Sequence, residues 1–406
     1  MQTGRFMNQN NYRIVILIDR YLPILGGAQN NIHQVARDLI NEGFQVTVLT
    51  RIVFPGLKRQ ESIDSVRVIR FSESRNRLVS KMGCIIAIVR YLITQKKDYD
   101  AVLCVPCAKH TDLFPAFPAS LVTGKPYVVR TTSMSLYEGL LTIDFKSFPD
   151  VMKKLLFPPL LWRKVLNNAS TIINQSVVIL DRGRQHGLDS KLVIPNGVDT
   201  NKFYSVNREN AMIKRQSLGI PKTKIVITNT GRYVDVKNQI ALLKVAKELI
   251  LDGHEDIFIL LLGAIEKGQV ADNREQLVDF VQSNSLGDYV RFVDDADNVD
   301  DYLQASDIFV FPTRHVEGMS NSLLEAMATG LPIIASGMEQ ITCMFPKNYP
   351  YFFNPECNRE LKDQLLDLAR SETKRHEIGK IVEDHAQENY ALTSTILRYK
   401  SLLLSL

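Results

Sequence analysis

The sequence predicts an α/β protein built from two doubly wound domains. Two observations carry this. A strand–loop–helix–strand unit opens near residue 13, and the same unit opens again near residue 224. Throughout, short apolar runs alternate with stretches of helical spacing, which is the pattern of parallel sheets joined by helical crossovers. A chain of 406 residues, 45% hydrophobic and 23% charged, has enough apolar material for a sizeable core in each domain.

The elements follow in order. "RIVILI" (13–18) is an apolar run of strand type. In the next stretch Ile32, Val35, Ala36, Leu39 and Ile40 recur at helical spacing and mark one face of a helix, with Gly43 as its stop. "FQVTVLT" (44–50) returns as a strand, so the pairing is parallel. The second unit reads "KIVITN" as strand, "GRYVDVKN" as loop, then Leu242, Val245, Ala246, Leu249 and Ile250 as a helix face, and "IFILLL" (257–262) as strand. "YVRFV" (289–293), a helix near 299–306, "DIFVFP" (307–312) and "PIIAS" (332–336) continue it. Turn residues Pro195, Asn196 and Gly197 set the boundary between the domains. The final stretch, "ENYALTSTILRYKSLLLSL", reads as one helix.

Composition excludes some classes. No window reaches 18 apolar residues, and the polar start "MQTGRFMNQNNY" lacks the apolar run of a signal peptide, so a cytoplasmic protein is expected. Five cysteines, an odd number, argue against a disulfide framework. Cys104 and Cys107 form a C-x-x-C, but no second Cys/His pair accompanies it, and they read as ordinary, mostly buried cysteines. The net charge of +5 is uneven: residues 1–200 hold 26 Lys/Arg and 15 Asp/Glu, whereas residues 201–406 hold 23 and 29. Two domains with different partners are implied.

Doubly wound sheets take their ligands at the carboxyl ends of the strands. After the first strand stand Gly26 and Gly27, which let backbone N–H groups approach a phosphate at a helix start. They fit a plain turn equally well, and G-x-G-x-x-G is absent. After the 224–229 strand come Gly231, Arg232 and Lys237; a guanidinium fork and a point ammonium suit a diphosphate. "EGMSNSLLEAMATGLPIIAS" (317–336) places Glu317 and Glu325 around seven small, polar or aliphatic residues. Ser322 with Glu325 matches a capping box, a structural account of Glu325. The functional account is that each carboxylate accepts hydroxyls of a sugar.

This last stretch resembles the E-x7-E signature of the large retaining glycosyltransferase family that includes sucrose-phosphate synthases and bacterial mannosyltransferases, family 4. "PILGGAQNNIHQVARDLINEGFQVTVLT" is similar to its glycine loop and first helix, "IPNGVDTNKF" to its interdomain stretch and "GRYVDVKN" to its G-R-x4-K-N. The resemblance covers nearly the whole chain. It implies a GT-B fold, two Rossmann-like domains facing a cleft. Residues 1–200 would bind the acceptor and 201–386 a nucleotide-sugar donor, with the helix 387–406 crossing back onto the first domain. Arg232 and Lys237 would clamp the diphosphate, and Glu325 would take the ribose hydroxyls. Glu317 would sit by the donor sugar, among backbone groups of Gly318, Met319, Ser320 and Asn321, while Gly27 approaches the donor phosphate.

The implied activity is metal-independent transfer of a hexosyl group with retention, from a UDP-linked sugar (UDP-glucose first) to a sugar or lipid-linked saccharide in polysaccharide or glycoconjugate synthesis. No metal or other cofactor is expected: Asp295 and Asp297 form a D-x-D, but in an acidic run where such matches arise by chance. Many relatives carry a T-x-H histidine where this chain reads Arg130, Thr131 and Thr132; His110 is the nearest alternative. The departure leaves open an epimerase or hydrolase acting on a nucleotide sugar, or a silent binding subunit. No nucleic-acid partner is expected. Six Lys/Arg and no acid in residues 75–97, interleaved with isoleucines, suggest contact with an anionic membrane, at the inner face of the plasma membrane; a core helix with a solvated basic face fits as well.

Overall fold

A computed structural model describes residues 12–24, 26–71, 77–106, 113–132, 137, 159–188, 190–263, 273–315 and 318–406. The chain divides into two compact units, residues 1–196 with 395–406, and residues 197–394.

Unit 1 is built on an eight-stranded sheet of order β3-β4-β2-β1-β5-β6-β7-β8. The strands are β1 (Arg13–Leu17), β2 (Gln45–Arg51), β3 (Gln60–Ile63), β4 (Val66–Phe71), β5 (Ala101–Cys104), β6 (Tyr127–Arg130), β7 (Thr171–Asn174) and β8 (Leu192–Val193). All neighbours pair in parallel except β3, an antiparallel edge strand on β4. Helices α1 (Gly27–Asn41), α2 (Arg77–Thr94) and α3 (Ala116–Thr123) are crossovers. The face of α1 is as the spacing requires: Ile32, Val35, Ala36 and Leu39 are buried and Ile40 only partly.

Unit 2 holds a six-stranded, wholly parallel sheet of order β11-β10-β9-β12-β13-β14. Its strands are β9 (Ile225–Thr230), β10 (Ile257–Gly263), β11 (Val290–Asp294), β12 (Ile308–Phe311), β13 (Ile333–Ser336) and β14 (Phe352–Phe353). Every residue of β10 is buried, since helices cover both faces of such a sheet and leave no solvated side. This is why "IFILLLG" shows no alternation.

The C-terminal stretch departs from the single helix expected of it. One helix, Glu372–Tyr390, ends and another, Leu392–Leu404, begins across Ala391, whose backbone is extended. Here the chain pairs with the turn at 197–198: the Val198 N–H donates to the Tyr390 carbonyl (2.8 Å) and the Leu392 N–H to the Val198 carbonyl (2.9 Å). Gly197 permits the approach, since a Cβ there would lie 2.7 Å from the Leu392 Cα. The break falls where two backbone hydrogen bonds across nearly 200 residues replace helical ones, and no local pattern reveals it. Within unit 1, Lys400 of the last helix pairs with Glu42 at 2.8 Å.

Candidate functional site

In unit 2 the strand order reverses between β9 and β12, and the loops leaving their carboxyl ends lie side by side. The loop after β9 runs from Gly231 through a single 3-10 turn, Asp235–Lys237, into the helix Gln239–Leu251. Asn238 joins the two in the left-handed region, φ 52°, which asparagine tolerates better than most residues. Its buried side chain ties the two loops together. Nδ2 donates to the Pro312 carbonyl at 3.0 Å, and Oδ1 accepts from Arg314 Nη2 at 2.6 Å. The Thr313 hydroxyl and the Arg314 N–H both donate to the Val236 carbonyl, at 2.6 and 3.1 Å. From beneath, the buried Tyr233 donates its hydroxyl to the Leu261 carbonyl at 2.9 Å.

On this pinned loop Arg232 is exposed and Lys237 half-buried. The Lys237 stem runs along Gly231, and its ammonium stands 5.1 Å from the Phe311 ring centroid. With Arg314, three cations surround the switch point, an arrangement suited to a polyanion. The sequence spacing identified two of them. Arg314 was missed because its place depends on Asn238, in a different loop.

Gly318, Met319 and Ser320 lead into the helix Asn321–Ala328. The capping box expected of Ser322 and Glu325 does not form. Ser320 is the N-cap, its side chain bonds no backbone N–H, and its Oγ lies 3.0 Å from the Ser322 Oγ. Ser322 is already the second helical residue, so Glu325 is a turn too deep to reach back. The helix buries Leu323, Leu324, Ala326, Met327 and Ala328 and packs on the helix Glu372–Tyr390. Gly379 allows that contact, since a Cβ there would come 2.1 Å from the Gly330 carbonyl oxygen.

The cap therefore gives Glu325 no structural role. Among the described residues its carboxylate accepts no hydrogen bond, and burial pushes its pKa up to about 7. The Lys202 charge opposes that rise and the Asp300 charge adds to it; these two form an ion pair at 3.5 Å. Glu317 and His110 lie outside the described residues.

In unit 1, Gly26 is the extended N-cap of α1 and Gly27 its first residue. A Cβ on Gly27 would meet nothing within 4 Å, whereas one on Gly26 would come 2.4 Å from Gln29 Oε1. The loop leading there is anchored on both sides. The Tyr21 hydroxyl lies 2.7 Å from His33 Nδ1, His33 Nε2 lies 2.9 Å from Asp64, and Arg51 grips Asp19 through two hydrogen bonds of 2.9 and 3.1 Å. Arg130 is fully buried and donates from Nη2 to Asn31 (2.7 Å) and Asn196 (2.6 Å). The Thr131 and Thr132 hydroxyls are spent on the Ile173 and Pro106 carbonyls. These three residues join strand ends and loops inside the unit. Cys104 is buried on β5, and Cys107 lies outside the described residues.

The D-x-D stands beyond β11. Asp295 takes a left-handed φ of 49°, and neighbouring Asp294 is bound twice by Arg274, at 2.9 and 2.6 Å. Among the described residues no three His, Cys, Asp or Glu side chains are grouped to hold a metal, and no helix is long and apolar enough to cross a membrane.

Residues 25–202 match the family model described as Glycosyltransferase Family 4, and residues 211–385 that described as Glycosyl transferases group 1. The chain is similar to the UDP-Gal:alpha-D-GlcNAc-diphosphoundecaprenol alpha-1,3-galactosyltransferase of Escherichia coli, 26% identical over 85% of each chain. In structure it is similar to a sucrose-phosphate synthase from Thermosynechococcus elongatus (TM-score 0.80, 18% identity, 97% of this chain and 98% of that one). It is also similar to HepE from Anabaena in complex with UDP and glucose (TM-score 0.75, 18% identity, 97% and 100%). The architecture shared with these structures is GT-B.

Proposed function

The chain belongs to the family 4 glycosyltransferases, and from that premise we propose that it moves a hexosyl group, with retention, from a UDP sugar to a lipid-linked saccharide in polysaccharide or glycoconjugate synthesis. The observation that carries the donor half is the switch point of unit 2, where Arg232 and Lys237 stand on a loop fixed through Asn238, with Glu325 on the helix that follows β12. Arg232 and Lys237 clamp the diphosphate and offset the charge that grows on it as it departs, electrostatic catalysis by groups already in place. Glu325 receives the ribose hydroxyls, which supply hydrogen bonds that its carboxylate lacks among the described residues. Glu317 attends the donor sugar together with backbone groups of Gly318, Met319, Ser320 and Asn321. UDP and a lipid-linked acceptor are supported by the Escherichia coli relative, and UDP with glucose by the Anabaena complex. The two cations make a metal unnecessary, and Asp295 and Asp297 are dispensable. The basic first half of the chain suits work at an anionic membrane surface.

One experiment tests donor and metal together. In a thermal-shift panel of UDP, GDP and ADP sugars in EDTA, UDP sugars are expected to raise the melting temperature most, and Asp295→Asn to respond as the wild type does. A shift that appears only with manganese and vanishes in Asp295→Asn contradicts the metal-free reading; preference for GDP or ADP contradicts the donor.

A further inference from the structure

The side chain of Arg314 is not needed for the tie in which it takes part. Arg314 follows β12 and is exposed, and its Nη2 donates to Asn238 Oδ1 at 2.6 Å. The two loops are already joined without it. Asn238 Nδ2 holds the Pro312 carbonyl, and the Val236 carbonyl accepts from the Thr313 hydroxyl and from the Arg314 backbone N–H. The guanidinium adds only one more hydrogen bond to these. Its partner is also unlike those of other arginines in unit 2. Arg208 reaches Glu372 at 2.7 Å, Arg215 reaches Asp307 at 2.6 Å and Arg274 reaches Asp294 at 2.6 Å. Among the described residues the Arg314 guanidinium meets a neutral amide and no carboxylate. The acid of the adjoining 3-10 turn, Asp235, accepts from Asn273 at 3.2 Å instead.

Each loop sends a cation toward the other. Lys237, on the loop after β9, carries its ammonium to 5.1 Å from the ring centroid of Phe311, the last residue of β12. Arg314, on the loop after β12, carries its guanidinium back to Asn238, the chain neighbour of Lys237. Two like charges are thus drawn to one junction. It lies at the carboxyl ends of paired strands, the edge at which a doubly wound sheet takes its ligand. Like charges brought together repel, and an anion between them offsets the cost. A guanidinium adds a planar fork that takes phosphate oxygens in pairs.

We infer that Arg314 is a third contact to the diphosphate of the nucleotide donor, aimed by the Asn238 side chain. This rests on the reading of the switch point as the donor site, and it extends the clamp of Arg232 and Lys237 to the second loop. The charge that grows on the departing diphosphate is then met by cations from both loops, fixed in advance by the hydrogen bonds between them.

The test is calorimetric titration of the full chain with UDP, inorganic diphosphate and uridine, for the wild type, Arg314→Ala, Arg314→Gln and Arg314→Lys. Arg314→Ala is expected to weaken binding of UDP and of inorganic diphosphate by about 10-fold or more, the loss of one hydrogen bond to a charged group, and to leave uridine unchanged. Arg314→Gln can still bond Asn238 but carries no charge, and should lose as much. Arg314→Lys keeps the charge without the fork and should fall between. Melting temperature without ligand should stay near that of the wild type, since the other hydrogen bonds between the loops remain. Wild-type affinity for diphosphate in Arg314→Ala or Arg314→Gln overturns the proposal. So does an equal loss for uridine, which makes Arg314 a brace of the loop. A failure of the donor reading shows separately, as a wild type that binds inorganic diphosphate but neither UDP nor uridine; the diphosphate titrations then still decide the role of Arg314. A wild type that binds none of the three overturns both.

Discussion

Alanine at Arg232 or at Lys237 is expected to weaken binding of UDP by about 10- to 150-fold each, because a hydrogen bond to a charged group contributes roughly 1.5–3 kcal/mol. The loop that carries them is held through the Asn238 side chain and the Val236 carbonyl, none of which the substitutions touch. Melting temperature without ligand should therefore stay near that of the wild type. Calorimetric titration reads the affinity. A folded variant that binds UDP as tightly as the wild type removes that residue from the site. Asn238→Ala offers a comparison of a different kind, since it releases the loop and should lower both affinity and stability.

Glu325 should reveal itself through pH. Burial raises its pKa from 4.5 in the unfolded chain to about 7 in the fold. Below pH 4.5 both states hold the proton and the residue has no effect on stability. Between 4.5 and 7 the unfolded chain ionises first, so the folded state loses stability as pH rises; above 7 the loss is complete. Allowing for partial exposure, the loss is roughly 2 kcal/mol. Glu325→Gln removes it, and this variant should melt several degrees above the wild type at pH 8 and level with it at pH 4. Binding should run the other way. Ribose hydroxyls donate best to the ionised carboxylate, so wild-type affinity for UDP should rise through pH 7, while that of Glu325→Gln stays low and flat. A flat wild-type profile in both measurements contradicts the assignment. A stability effect without a binding effect leaves Glu325 as a desolvated carboxylate with no part in the site.

Much of this was legible in the sequence, and the limits have physical causes. Strands such as β10 and β12 announce themselves because both faces of a parallel sheet are covered, so apolar residues run together. In a doubly wound sheet the strand ends then single out Gly231, Arg232 and Lys237 as candidates. What the sequence concealed depends on partners far along the chain. Asn238 and Arg314 stand 76 residues apart, and their hydrogen bond sets the loop geometry. Lys202 and Asp300, which bias Glu325, come from two other segments. The capping-box reading failed for a local reason: Ser320, Asn321 and Ser322 are all plausible caps, and helix starts are uncertain by a residue or two. On α2 (Arg77–Thr94) apolar residues fall on two faces, and the sequence does not say which one the sheet takes. The burial of Cys84, Ile88 and Leu92 in the core settles that.

The central claim is that a hexosyl group leaves a nucleotide sugar for an acceptor on this chain. It is tested most directly by nucleotide release from a UDP hexose, with and without a prenyl-diphosphate-linked monosaccharide, and by NMR assignment of the new anomeric centre. The result expected is UDP release only when the acceptor is present, unaffected by EDTA, with an α-linked product from an α-linked donor. UDP release at the same rate without acceptor, or conversion of the donor sugar into its epimer with no transfer, contradicts the account and makes the protein a hydrolase or an epimerase instead.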